Sequence, residues 1–148
     1  MQLSSLLSPD RVLCDVSVAD KNAALELVAS LLASGDDGIS SAETLEALRS
    51  RESLGSTGLG HGIAIPHGRR QGGQHIIGTF VRLAESIGFD AIDQKPVDLL
   101  FALLVPESST GEHLIILGAL ATMFNDSRRV DELRTAPSAE AIYQLLIR

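Results

Sequence analysis

Apolar side chains recur along this chain at two spacings, and each spacing predicts a different element. In "KNAALELVASLLAS" Leu25, Val28, Leu31 and Leu32 fall on one helical face, the repeat expected of a helix with one buried side. Asp20 stands where a side-chain cap belongs, and Gly35 stands where such a helix stops. "AETLEALRSRE" repeats the pattern through Leu45, Leu48 and the aliphatic stem of Arg49, with Ser40 and Glu43 at capping-box spacing. Ser109 and Glu112 repeat that spacing ahead of "HLIILGALATMF". Two shorter helical runs close the chain, "RRVDELRTA" and "AEAIYQLLI", the second behind Pro137 and Ser138.

Between the helices lie shorter apolar runs without helical spacing. "IAI" at Ile63 to Ile65, "HIIGTFVRL" at His75 to Leu83 and "VDLLFALLVP" at Val97 to Pro106 predict strands. The last is almost continuously apolar, which suits a strand covered on both faces. "FDAIDQKP" reads as a turn, because Asp, Gln and Pro break any regular pattern. No repeat or low-complexity linker divides the chain. The order predicts an α/β fold: a single domain over 1–148, with a mixed β-sheet flanked by helices on both faces.

Composition narrows the class. A chain of 148 residues can bury a sizeable core, and its hydrophobic content of 45% comes from aliphatic residues rather than from aromatics. The formal net charge is −7 and no Lys/Arg-rich run is present, so no nucleic-acid footprint is expected, while a partner with a basic face stays open. Cys14 stands alone, which excludes an internal disulfide, fits a reducing compartment and reads as a small core residue. "MQLSSLLSPDRVL" lacks the basic start and apolar stretch of a signal peptide. No apolar run reaches the roughly 20 residues that cross a bilayer. These features predict a cytoplasmic protein without membrane insertion.

The chemistry concentrates in "GSTGLGHGIAIPHGRR", from Gly55 to Arg70. A P-loop needs Lys and then Ser or Thr after its last glycine, and neither stands there. A dinucleotide fingerprint begins at Gly58 and Gly60 but meets Ile63 in place of its third glycine, and it follows a predicted helix rather than a strand. Zinc could draw on His61, His67, His75 and His113, yet these lack paired spacing and cysteine support. A nucleophilic histidine is the third reading. Neutral imidazole carries a lone pair at neutral pH and can accept a phosphoryl group without a separate base. Pro66 stiffens the backbone before His67, and Gly68 lets another backbone approach closely. Ser56, Thr57, Gly68 through its backbone, and other loop N–H groups are the candidate donors to phosphate oxygens. On the residues alone, all three readings stay open.

"RESLGSTGLGHGIAIPHGR" resembles the signature of the enzyme IIA domains of the bacterial phosphoenolpyruvate-dependent phosphotransferase system, of the mannitol/fructose type, and within it the nitrogen-regulatory branch. "FDAIDQKPVDLLFALLVP", the following "HLIILGALA" and the opening "LSSLLSPDRV" extend the resemblance over nearly the whole chain. It implies that His67 accepts a phosphoryl group from a small histidine phosphocarrier protein, with Arg51 and His113 assisting and no cofactor or metal required. The nitrogen branch stands alone, without fused transport domains, and acts mainly as a regulator. Its phosphorylation state alters contacts with regulated proteins such as potassium transporters and sensor kinases; a chain ending at Arg148 leaves no room for a transport domain. The resemblance also implies an alternative, a sugar-uptake enzyme IIA that hands the group to a cysteine on a IIB partner. A metal- or nucleotide-binding sensor is the rival outside that system. His61 stands where relatives often carry asparagine, and a structural role is expected for it. Arg69 and Arg70 read as solvated rim charges, and His75 carries no functional expectation.

Overall fold

The apolar run near the middle of the sequence becomes the middle of the sheet. The computed structural model describes residues 3–35, 38–109 and 111–148, so Met1 and Gln2 of the opening stretch lie outside it. In chain order the strands are β1 (Val12–Val16), β2 (Gly58–Gly60), β3 (Ile63–Ala64), β4 (His67–Arg70), β5 (Ile77–Ile87) and β6 (Val97–Pro106). The helices are α1 (Lys21–Ala33), α2 (Ser41–Glu52), α3 (Glu112–Phe124), α4 (Ser127–Thr135) and α5 (Ala139–Ile147). β5 lies antiparallel to β6, with Phe80 opposite Phe101, and β1 runs parallel to β5 on its outer side. The other edge of β6 is shared. β3 pairs with it at Leu99 and Leu100, β4 pairs with it from Leu103 to Pro106, both parallel, and β2 closes the edge antiparallel to β3.

Side chains alternate across a strand, so β6 feeds two cores. Leu99, Phe101, Leu103 and Val105 point toward α3, α4 and α5, where they meet Ile116, Leu120, Leu133 and Ile142. Phe80, Phe101 and Phe124 stack edge-on there with centroids 6.3 Å apart. Leu100, Ala102 and Leu104 point the other way and meet Leu25, Val28, Leu32 and Leu48 of α1 and α2. The expected mixed sheet covered on both faces is what forms.

Local chemistry explains most boundaries. The side chain of Asp20 accepts from Ala23 N at 2.9 Å and that of Ser40 from Glu43 N at 3.1 Å, so two helices start where a cap was expected, and Ser138 caps a third by accepting from Ala141 N at 3.1 Å. One expected cap fails. α3 starts behind Gly111, which offers no side chain, and the Ser109 hydroxyl is buried with no partner among the described residues. Three strands were not expected. β1 is short and carries Asp15 at φ +57°, which shifts its register; β2 is a glycine-flanked three-residue piece; and β4 consists of His67, Gly68, Arg69 and Arg70, a polar sequence made into a strand by the edge of β6. β5 starts two residues later than expected and runs past Leu83 to Ile87 through exposed Ala84, Glu85 and Ser86.

Candidate functional site

His67 is placed by main chain on both sides. Ile65 N donates to Thr57 O at 3.1 Å, Leu103 N donates to Pro66 O at 2.9 Å, and His67 opens β4 opposite Leu103. Its half-buried ring has Nδ1 2.8 Å from the carbonyl oxygen of Ile65. A carbonyl can only accept, so Nδ1 carries the hydrogen and the lone pair of the neutral ring sits on Nε2. Burial holds the pKa of His67 below the ordinary imidazole value. The Ile65 hydrogen bond opposes that shift, the cation of Arg51 adds to it, Glu52 opposes it, and His113 adds to it. The result is a neutral imidazole near pH 7 with a defined nucleophilic nitrogen.

Gly68 explains how α2 comes so close. A Cβ there would lie 2.8 Å from the carbonyl carbon of Ala47 and 3.0 Å from its oxygen, so only glycine lets the helix settle on β4. That contact carries the end of α2 to His67. Arg51 is half-buried and donates from Nη1 to Gly55 O at 2.7 Å, with its charge near the ring. Behind it, the Glu52 side chain is only 5% exposed and gathers several donors. It accepts from Thr57 N at 3.1 Å and from the Thr57 hydroxyl, and it pairs with Lys21 Nζ at 3.0 Å. Lys21 Nζ also lies 4.6 Å from the Phe89 ring centre and 3.6 Å from Asp90. This buttress joins the start of α1, the end of α2 and the glycine loop. Sequence reasoning missed Glu52 and Lys21, because nothing in local spacing joins residues 31 positions apart.

Ser56 and Thr57 are bound into the same loop. The Ser56 hydroxyl donates to Phe89 O at 2.8 Å and accepts from Gly58 N at 3.1 Å, and both donors of Thr57 reach Glu52. In this state both hydroxyl protons are directed at protein acceptors, and Gly68 lies buried beneath α2.

The opposite wall is the start of α3. His113, its second residue, has Nε2 2.9 Å from Arg69 Nη2. A guanidinium can only donate, so His113 Nε2 is the acceptor and its Nδ1 bears the hydrogen. Nδ1 is buried, with no partner among the described residues. The structure therefore gathers His67, Arg51 and His113 and adds Arg69, which the sequence placed on the solvated rim. The polar sequence around it gave no sign of this, because β4 becomes a strand only by pairing with β6, which puts residues two apart on one face. Next to His113, Leu114 and Ile115 are 63% and 64% exposed, and Leu54, three residues after Arg51, is 83% exposed.

His61 serves the fold through its backbone. It lies in the left-handed region at φ +59°, where asparagine is also favoured. Its N–H donates to Asp93 Oδ2 at 3.0 Å and its carbonyl accepts from Arg134 Nη2 at 2.6 Å. Arg134 also grips Asp98, with Nη2 to Oδ1 at 2.8 Å, tying this loop to α4 and β6. Among the described residues, no three His, Cys, Asp or Glu side chains come together as a metal site, and no helix is long and apolar enough to cross a membrane.

Comparison with known proteins places the whole chain in a family. Residues 5–148 match the family model described as "Phosphoenolpyruvate-dependent sugar phosphotransferase system, EIIA 2". A nitrogen regulatory protein of Pseudomonas aeruginosa is 44% identical over 147 residues, covering 99% of this chain and 96% of its own. A mannitol-specific phosphotransferase enzyme IIA component of Staphylococcus aureus is 30% identical over 146 residues, covering 97% and 96%. The crystal structure of nitrogen regulatory protein IIA-Ntr from Neisseria meningitidis superposes with a TM-score of 0.92 at 43% identity, covering 97% of this chain and 98% of that one. The chain belongs to the EIIA 2 family of the phosphotransferase system.

Proposed function

We infer that this protein is a phosphoryl-accepting regulator in which His67 Nε2 takes the group from a histidine phosphocarrier protein in the cytoplasm. The observation that carries the reading is the Nδ1–H bond to Ile65 O, which leaves the Nε2 lone pair on a neutral ring. Nε2 attacks phosphorus in line, and a new N–P bond forms as the carrier's P–N bond breaks. The electron pair returns to the carrier's imidazole. Each ring keeps its own N–H, so no proton need move and the acceptor needs no separate base. The Arg51 guanidinium faces the charge that builds on the phosphoryl oxygens, and His113 can donate to them once its ring turns or takes up a proton. Ser56 and Thr57 shape the loop, and any phosphate contact they make requires their hydroxyls to leave their present acceptors. The exposed Leu54, Leu114 and Ile115 lie beside the site residues in sequence and suit a protein donor.

The output is regulatory. The nitrogen regulatory name belongs to relatives at 35% to 44% identity over nearly the whole chain, whereas the mannitol-specific relative stands at 30% and a fructose-specific EIIA component reaches 39% over only 102 residues. Regulated partners such as potassium transporters or sensor kinases would read the phosphorylated and free forms differently. Intact-mass measurement at alkaline pH, after incubation with phosphorylated carrier, tests acceptance: a gain of one phosphoryl group is expected, and none in His67→Ala. Onward transfer from the labelled protein to a sugar-specific IIB domain would favour the uptake reading instead.

A further inference from the structure

We propose that Lys21 is a positioning residue for the transfer: through Glu52, Thr57 and the main chain at Ile65, its ammonium group holds the carbonyl that aims the His67 ring. The proposal rests on the reading of His67 as the phosphoacceptor. Every link is a direct contact. Lys21 Nζ lies 3.0 Å from Glu52 Oε2. The Glu52 carboxylate accepts from Thr57 N at 3.1 Å and from the Thr57 hydroxyl. Thr57 O accepts from Ile65 N at 3.1 Å, and Ile65 O stands 2.8 Å from His67 Nδ1.

The last contact decides the reactivity of the ring. The tautomer of a neutral imidazole follows the hydrogen bonds its nitrogens make. Left to water, a histidine ring favours the hydrogen on Nε2, which removes the lone pair from the atom that has to attack phosphorus. Ile65 O reverses that preference by accepting from Nδ1. Its direction must therefore be held. Pro66 confines Ile65 to an extended backbone and fixes its own φ, and Leu103 N holds Pro66 O at 2.9 Å. The segment from Ile65 to His67 is thus stiff and anchored to β6 at one end. At its other end it hangs on Thr57 O. A shift of Thr57 tilts this segment and turns the carbonyl away from Nδ1.

Thr57 is gripped through both of its donors, N–H and hydroxyl, by one carboxylate, so its place follows Glu52. That carboxylate is almost wholly buried, and among the described residues Lys21 is the cation paired with it. Removing the ammonium strands a buried charge, and such a group regains solvation by moving toward water, taking Thr57 with it. The ammonium is itself fixed, with Nζ over the Phe89 ring and 3.6 Å from Asp90. Lys21 thus acts on His67 from the first residue of α1.

The test compares Lys21→Met, which keeps the aliphatic stem without the charge, with Lys21→Arg, which keeps a cation. Ring nitrogen-15 NMR reports which nitrogen of His67 carries the hydrogen. Rapid-quench kinetics over a range of phosphorylated carrier, run well below each melting temperature, separates maximal rate from half-saturation. Wild type and Lys21→Arg are expected to show the hydrogen on Nδ1 and similar maximal rates. Lys21→Met is expected to show a mixture of both tautomers and a maximal rate lower by about tenfold, with half-saturation unchanged. An unmoved ring signal or an unmoved maximal rate in Lys21→Met, whatever its melting temperature, would overturn the proposal. So would a loss confined to half-saturation, or a Lys21→Arg protein as slow as Lys21→Met. Should Lys21→Met not fold, Thr57→Val removes the hydroxyl link alone and is expected to move both readouts in the same direction; unmoved readouts there overturn the proposal as well. A wild-type protein that takes up no phosphoryl group overturns the reading of His67 itself, whereas normal wild-type labelling beside an unaltered Lys21→Met overturns this proposal alone.

Discussion

The two walls that flank His67 are built differently. On the α2 side, polar groups are saturated: the Glu52 carboxylate takes Thr57 and Lys21, Arg51 is anchored on Gly55, and Gly68 lets Ala47 touch the strand. On the α3 side, the helix starts at an uncapped glycine, a serine hydroxyl and an imidazole N–H lack partners among the described residues, and two large apolar side chains face outward. The first wall fixes a ring in one orientation. The second is incompletely satisfied, as expected of a surface that completes its bonding only when an anion and a partner arrive. The His67 ring is thus held from one side and left open on the other.

Breaking the held side should have the larger consequences. His67→Ala is expected to remove all labelling by phosphorylated carrier while leaving the urea midpoint nearly unchanged; a labelled variant would show that the acceptor lies elsewhere. Glu52→Gln should cost about 2 kcal/mol of stability, below the full value of a buried pair because Lys21 is partly exposed. It should also slow labelling, since the loop that Thr57 anchors would loosen. A melting curve that matches wild type would show that the buttress contributes little.

The titration of His67 sharpens the contrast further. Burial first, and then Arg51, disfavour its charged form, so its ring should stay neutral below the ordinary value of about 6.5. The labelling rate is expected to stay level as pH falls to that value and to decline only at lower pH. An acid limb centred at or above 6.5 would contradict the buried, cation-flanked ring. The sign for stability is the same: below about 6.5 the unfolded chain takes up a proton that the native ring resists, so this group's contribution weakens as pH falls. The smallest effect belongs to the open wall. Gly111→Ser gives α3 the missing side-chain cap and should stabilise it by a few tenths of a kcal/mol, read as a slight rise in melting temperature. A large change in either direction would mean that this helix start is more tightly built than its bonding suggests.

Much of this was legible in the sequence where the cause is local. Asp20 and Ser40 announce helices because a cap and its N–H lie within three residues. The run from Val97 to Pro106 announces a doubly covered strand because both of its faces are apolar. His67 stood out through its neighbours Pro66 and Gly68, and Gly68 does admit a foreign backbone, that of Ala47. What stayed hidden depends on pairing at a distance. β4 is a strand only because β6 offers it an edge, so the shared face of His67 and Arg69 could not be read from polar residues alone. Ser109 has the spacing of a cap, yet the chain turns at Gly111 and leaves it unused. Glu52 reads as an ordinary helix-end carboxylate until Lys21 and Thr57 close around it.

The partner that orients His67 is a peptide oxygen from its own chain two residues back. No side-chain exchange can delete such a group, so ring orientation here follows the course of the main chain and is sheltered from most point mutations. A peptide oxygen is also electrically neutral. On the proposed reading it would steady a phosphorylated ring without supplying a counter-anion, whereas a carboxylate in its place would offset the positive charge that makes the ring a good leaving group. A phosphoryl group on Nε2 would accordingly stay labile, so that the mark regulated partners read could be readily reversed.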